Sequence, residues 1–163
     1  MGRKSLGRPL SGTGAARLSE RQTVTAPPEQ RDRLRPIGVI RSSLKTPSEA
    51  PKQGTEGAPD AWLELRPSLT EALDGISVGD EILVVTWFHR ARRDVMKVHP
   101  RDNKRLRLTG VFATRSADRP NPLGLHPVTV KRIVGNRLRI GPIEAIDGTP
   151  VVDIKPALGR RRR

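Results

Sequence analysis

The chain has 163 residues, which suits one compact domain when a domain takes roughly 100–200. Hydrophobic residues make up only 34% and cysteine is absent, so part of the chain is expected not to fold, and disulfides, thiolate metal sites and cysteine nucleophiles are excluded. The 31 Lys and Arg against 17 Asp and Glu leave a net charge of +14, a footprint for a polyanion, with nucleic acid ahead of an anionic membrane surface.

Residues 1–34 are built from Gly, Ser, Thr, Pro, Gln and Arg without sustained periodicity, and read as a disordered basic arm. Their Arg and Ser content shares something with a mitochondrial transit peptide, but an amphipathic helical stripe is missing, and a cytoplasmic tail is the expectation. No apolar run approaches the ~18 residues needed to cross a bilayer, so no membrane association through a spanning helix is expected. Residues 158–163 form an Arg-rich tail, and residues 35–157 are expected to hold the folded domain.

Within 35–157 the texture is of short β-rich runs punctuated by Gly and Pro, which predicts a mainly β fold, a small antiparallel β-barrel with one short helix and disordered basic tails. Strands are expected over 37–41, 62–65, 81–88, 106–114, 128–134, 137–140 and 151–154. The third, Ile-Leu-Val-Val-Thr-Trp-Phe over 82–88, is apolar enough to be buried on both faces. Ser68 and Glu71 have capping-box spacing and open a helix that ends at Asp74-Gly75. Gly135-Asn136 is expected to turn a hairpin.

Three segments carry candidate chemistry. The first, 115–125, reads RSADRPNPLGL: Pro120 and Pro122 stiffen it, Gly124 permits close approach, and Arg115 and Asn121 supply donors. It fits either a rigid ligand cradle or a stiff barrel corner. The second, 144–150, presents Asp147 and Thr149 at a strand start, in a Asp-Gly turn that is also ordinary hairpin chemistry. The third pairs the polar loop Pro51-Lys52-Gln53 with His89-Arg90, at the end of the long apolar strand. A basic stretch follows, with Arg92, Arg93, Lys97, Arg101, Lys104 and Arg105.

Taken together these segments resemble the TsaA-like family, also called TrmO. The resemblance rests on PIGVIRS from residue 36, PKQ from 51, WFHR from 87, GVFATRSADRPNPLGL from 110 and IDGTPVVDIKP from 146. It covers the chain between its basic tails. It implies a β-barrel methyltransferase that uses S-adenosyl-L-methionine without a Rossmann glycine fingerprint and modifies tRNA. The acceptor it implies is N6 of threonylcarbamoyl-adenosine beside the anticodon, with the anticodon loop as partner, a homodimeric assembly, a cytoplasmic location and no metal. Carried over by motif position, the cofactor contacts fall on Pro51, Lys52, Gln53, His89, Arg90, Arg115, Leu125, Ala145, Ile146, Asp147 and Gly148. His89 and Asp147 are the candidates for a base, and Arg92, Arg93, Lys97, Arg101, Lys104 and Arg105 for RNA contacts. The chain departs from the family at Ala117, Leu123 and His126, where Pro, Ile and Ser are common, and at Ala157, where an aromatic is common. Some members carry a further C-terminal region, so the RNA substrate stays open. So do another RNA base, a small metabolite, or a non-enzymatic RNA-binding barrel.

If the basic ends grip RNA, deleting residues 1–34 and 160–163 will weaken tRNA binding and flatten its salt dependence, because fewer counterions are released. Binding titrations over a salt series check this; unchanged affinity and slope reject it.

Overall fold

A computed structural model describes residues 33–158. The expected arm and tail lie outside the described residues except for Arg33, Leu34 and Leu158. Alternation sets the strands. In β2 (Ala61–Leu65) Ala61, Leu63 and Leu65 are buried while Trp62 and Glu64 face outward. In β7 (Arg137–Gly141) Leu138 and Ile140 are buried between exposed Arg137 and Arg139. This period of two gives each strand one apolar face, and curling the sheet on itself buries that face.

Six strands close the barrel in the order β1 (Gly38–Arg41), β2, β7, β6 (Leu123–Val134), β3 (Glu81–Trp87) and β8 (Pro150–Pro156), with β8 returning to β1. Every pairing is antiparallel. Ile40, Leu63, Val84, Val130, Leu138, Ile140 and Val151 fill the interior and are fully buried; each large side chain removed from water there contributes about 1.5–3 kcal/mol. The hairpin joining β6 to β7 turns at Gly135-Asn136, with Gly135 at φ 57°.

Several local expectations are corrected. β3 is not buried on both faces: Ile82, Val84 and Thr86 point into the barrel, while Leu83, Val85 and Trp87 are half-covered on the outside. The capping box does not form. Residues Pro67–Leu73 make a 3₁₀ helix whose N-cap, Arg66, has no side-chain cap bond, and Pro67 occupies the first turn. The expected strand over 106–114 reduces to β5 (Thr109–Gly110), paired with β4 (Lys97–Val98) in a separate two-stranded ribbon, and the chain then enters a 3₁₀ turn at Val111–Ala113. β6 in turn begins five residues before the expected 128, absorbing the end of the proline-rich segment.

The ribbon lies within residues 88–122, an excursion that leaves the barrel after β3 and returns to it at β6. Its neck is shut by the β3–β6 ladder, which runs from Glu81↔Thr129 to Trp87↔Leu123, and by the Phe88 N–H donating to the Pro122 carbonyl at 2.8 Å. Gly124 makes this closure possible. A Cβ there would come within 2.5 Å of Phe88 Cζ and Thr86 Oγ1 and 2.6 Å of His126 Nε2. The space left by its missing side chain is thus filled by the protein's own side chains. Gly124→Ala is expected to lower the unfolding free energy by about 1–3 kcal/mol through overpacking, measured by urea titration; a variant as stable as the parent would show that the neck relaxes freely.

Candidate functional site

An open cleft of about 270 Å³ lies on the outside of the barrel, against β6. Its walls come from five parts of the chain: Gln53, Gly54 and Thr55 from the loop before β2, Glu81 and Ile82 from β3, Leu125, Pro127 and Thr129 from β6, Pro142 with Glu144 from the turn after β7, and Ala157 just after β8. Alternation along β6 explains the middle wall. Gly124, His126 and Val128 turn inward, which leaves Leu125 and Pro127 exposed on the outer face. The loop before β2 and the turn after β7 are pressed together at Gly54, where an added Cβ would lie 2.9 Å from the Pro142 carbonyl oxygen and 3.1 Å from Glu144 Oε2.

Of the two carboxylates that line this cleft, Glu81 is exposed at the start of β3 and Glu144 is largely covered. Its neighbours Ile143 and Ala145 are buried in the core, so alternation directs its side chain outward, where it is only 18% exposed. Burial raises its pKa, but the imidazole of His126 and the charge of Arg115 outweigh burial and hold the carboxyl below the ordinary glutamate value. His126 is itself buried. Its Nε2 is hydrogen-bonded to Thr86 Oγ1 at 2.8 Å, its Nδ1 lies 3.0 Å from Glu144 Oε1, and Phe88 packs edge-on at 5.7 Å. Nδ1 and the carboxylate are close without an aligned hydrogen bond.

Of the residues expected from sequence, Gln53 and Leu125 line the cleft, and Arg115 acts on the Glu144 carboxylate. Asp147 is engaged elsewhere. The Ser42 N–H donates to its Oδ1 at 3.1 Å and Lys45 Nζ to its Oδ2 at 3.0 Å, while its own N–H donates to the Leu44 carbonyl at 2.7 Å. These contacts stitch the 145–148 turn to the chain leaving β1, and the Gly148 N–H, at φ 77°, adds a bond to the Ile40 carbonyl at 2.8 Å. The hydrogen bond from Lys45 first, then that from Ser42, lowers the Asp147 pKa. Arg90 Nη1 donates to the Lys45 carbonyl at 3.2 Å, so Arg90 and Asp147 meet through Lys45. Beside Arg90, partial burial first and then the Arg90 charge lower the His89 pKa. Ala145 and Ile146 have buried side chains and offer a ligand only their backbone. Pro51 is half-buried, and Lys52 is ion-paired with Asp102.

The basic stretch divides in two. Arg93 donates to the Pro120 carbonyl at 3.0 Å and its guanidinium lies 5.2 Å from the centre of the Trp87 ring. Arg101 grips both oxygens of Glu56 at 3.1 and 2.9 Å, and Arg92 pairs with Asp94 at 3.4 Å. Lys97, Lys104 and Arg105 are exposed and, with Arg107, make no ion pair among the described residues. No group of His, Asp and Glu there is arranged to hold a metal, and no helix there is long and apolar enough to cross a membrane. Sequence reasoning missed Glu144 and His126. The alternation of a charged residue between two apolar ones was a signal for Glu144; His126 stood out only as a departure from the family pattern, with no sign of its role, because its partners lie at 86 and 144.

The family model for the tRNA-methyltransferase O N-terminal domain matches residues 39–160. A probable S-adenosyl-L-methionine-binding protein of Methanothermobacter thermautotrophicus is 43% identical over 124 residues, covering 76% of this chain and 88% of the relative. VirR of Rhizobium radiobacter, also described as a probable S-adenosyl-L-methionine-binding protein, is 34% identical over 152 residues, 90% of this chain and 86% of its own. The crystal structure of TrmO from Pseudomonas aeruginosa superposes with a TM-score of 0.62 at 33% identity, covering 77% of this chain but 55% of that one. This chain therefore spans little more than half of the solved TrmO chain.

Because the Glu144 carboxyl titrates lower in the folded state, its contribution to stability is present above the ordinary glutamate range, about pH 4.3, and is lost as pH falls through the lower folded value. Glu144→Gln is expected to shrink the loss of stability between about pH 7 and pH 3, measured by urea titration at each pH. An equally steep acid limb in the variant contradicts this assignment.

Proposed function

The chain belongs to the family described as the tRNA-methyltransferase O N-terminal domain, and from that membership we propose that it is a cytoplasmic S-adenosyl-L-methionine-dependent methyltransferase. Its acceptor in this reading is N6 of threonylcarbamoyl-adenosine next to the tRNA anticodon. The observation that carries the reading is the cleft in which the ionised Glu144 stands among apolar walls with the charge of Arg115 nearby.

The donor set suits the cofactor. Leu125, Pro127 and Pro142 offer apolar surface for an adenine, Glu144 is an acceptor for ribose hydroxyls, and Arg115 is a charge-assisted donor for the amino-acid carboxylate. Lys52, neutralised by Asp102, adds little repulsion toward a cationic sulfonium. Gln53 contributes a polar side chain at the rim. His126, anchored on Thr86, limits where the Glu144 carboxylate can sit. The cofactor, when bound, supplies a methyl group activated by its positive sulfur.

The chain's own task is to hold the acceptor nitrogen in line and receive its proton. His89 suits the second part better than Asp147. With its pKa lowered, His89 is a neutral imidazole at pH 7 and has a free acceptor nitrogen; Asp147 is held ionised by Lys45 and Ser42 and is a weaker base for it. Lys97, Lys104 and Arg105 contact anticodon-loop phosphates, Arg92, Arg93 and Arg101 do so on exchanging their present partners, and the looped-out base needs no duplex to be opened. At about 270 Å³ the cleft falls just short of the roughly 300–1,000 Å³ typical of small-molecule sites, and a two-fold dimer adds the missing wall.

Calorimetry is expected to give saturable heat with S-adenosyl-L-methionine, weakened roughly 10- to 100-fold in Arg115→Ala and in Glu144→Ala, as for loss of a hydrogen bond to a charged group. Mass spectrometry of tRNA nucleosides from a deletion strain should show the methyl missing from threonylcarbamoyl-adenosine. Absence of heat would leave a non-enzymatic RNA-binding barrel, and a methyl missing elsewhere would change the acceptor.

A further inference from the structure

We propose that Phe112, together with the exposed cations of the β4–β5 ribbon, is a base-stacking platform for single-stranded RNA. The inference rests on the tRNA reading above and identifies part of the surface that would hold the loop.

Phe112 is 82% exposed, although burying a phenylalanine is worth about 1.5–3 kcal/mol. Its exposure is built into the backbone. Val111 on one side is buried to 1%, and Arg119 clamps the turn from below: its Nη2 donates to the carbonyls of Val111 at 2.9 Å and Thr114 at 2.6 Å, and its Nε to that of Ser116 at 2.8 Å. Thr114 Oγ1 adds a bond to the Val111 carbonyl at 3.0 Å. The 3₁₀ turn Val111–Ala113 is thus pinned at both ends, with Val111 buried and the Phe112 ring left in solvent.

The surroundings select the partner. The Val111 N–H donates to the Met96 carbonyl at 3.0 Å and Lys97 pairs with Gly110, so the ring follows directly on the ribbon. Arg105, Leu106, Arg107 and Leu108 lead into the same ribbon, all exposed, and Lys97, Lys104, Arg105 and Arg107 are unpaired among the described residues. So many like charges oppose a second copy docking by this face and favour a polyanion. A polyanion that also offers flat apolar faces is a single-stranded nucleic acid, and aromatic stacking with phosphate neutralisation is how such strands are held. The position fits as well: Arg115, which acts on the Glu144 carboxylate, is three residues from Phe112, at most about 11 Å along an extended chain. A strand stacked on the ring therefore lies within a few nucleotides of the cleft.

The test uses the full chain, a fluorescein-labelled RNA anticodon stem-loop and anisotropy titrations over a salt series. Phe112→Ala is expected to weaken binding roughly 5- to 150-fold, the range for one stacked base, with the salt slope unchanged. Phe112→Trp should retain affinity and Phe112→Leu should not. Lys104→Ala and Arg105→Ala should each lower the salt slope by about 0.7–0.9. If the parent binds RNA and Phe112→Ala binds it equally, or if Leu restores what Ala loses, the platform is overturned while the tRNA reading stands. If the parent binds no RNA, that reading falls and takes the platform with it. Two further arms exclude other partners: phosphatidylcholine–phosphatidylserine vesicles and sedimentation velocity. Loss of vesicle binding or of a dimer in Phe112→Ala, with RNA affinity intact, also overturns the proposal.

Discussion

The antiparallel ladder between β3 and β6 is the constraint on which the other features depend. It joins two strands separated by residues 88–122, and it holds register over seven residue pairs before Phe88 and Pro122 extend it. Closing so long a loop costs entropy that grows only slowly with length, and a ladder with a buried face offsets it. Once register is fixed, the inward set Gly124, His126 and Val128 and the outward set Leu125 and Pro127 are fixed too, since a slip of one residue would exchange them. The cleft wall and the buried histidine are two consequences of one alignment. So is the geometry of the excursion, whose ends are brought together at the barrel wall.

The two acidic positions of the 144–150 segment divide their work because of where the backbone turns. Glu144 follows a buried isoleucine and faces the cleft; Asp147 lies at the turn, where main-chain and lysine donors from the β1 exit reach it. Both titrate below their ordinary values, but for different reasons. Asp147 is exposed enough that its donors are a local stitch, worth little each when screened by solvent. Glu144 keeps its charge against burial because His126 and Arg115 supply compensating partners from β6 and from the proline-rich segment. A carboxylate held ionised in a partly apolar cleft is a polar anchor, and its field depends on side chains from three separate stretches of chain.

Period-two alternation made most of the barrel legible in the sequence. Ala61–Leu65 and Arg137–Gly141 have one apolar face each, and no tertiary contact is needed to see it. Residues 106–114 carry a similar pattern for another reason: Leu106 and Leu108 alternate with Arg but stay 45% and 49% exposed, so the pattern there marks a surface and only two residues pair. The β3 run looked doubly buried because composition cannot distinguish a half-covered outer face from a core. For the site, local motifs located the segments but not the side chain that faces the cleft. Choosing between Glu144 and Asp147 requires the curvature after β7, and finding His126 requires knowing that residues 86, 126 and 144 meet.

The excursion is fastened to the cleft by electrostatics as well as by its neck. Lys52 with Asp102 and Arg101 with Glu56 join the ribbon's far turn to the 50–57 loop that forms one cleft wall. Arg101 and Asp102 both occupy the left-handed region, at φ 56° and 58°, a conformation costing a non-glycine residue of order 1–3 kcal/mol. Each exposed ion pair contributes only about 0–1 kcal/mol, so the pairs do not hold this turn alone; the Asp102 and Asn103 N–H groups, bonded to the carbonyls of His99 and Pro100 at 3.0 and 3.1 Å, share the load. For a polyanion the distinction between paired and free cations then matters more than their number. Arg101 must release Glu56 to meet a phosphate and Lys52 must release Asp102, and either exchange removes one of the two ion pairs that tether the 50–57 loop. Among the described residues Lys97, Lys104, Arg105 and Arg107 have no such partner to give up. Long-range attraction therefore falls first to those cations, and the paired ones couple whatever binds there to the wall of the cleft.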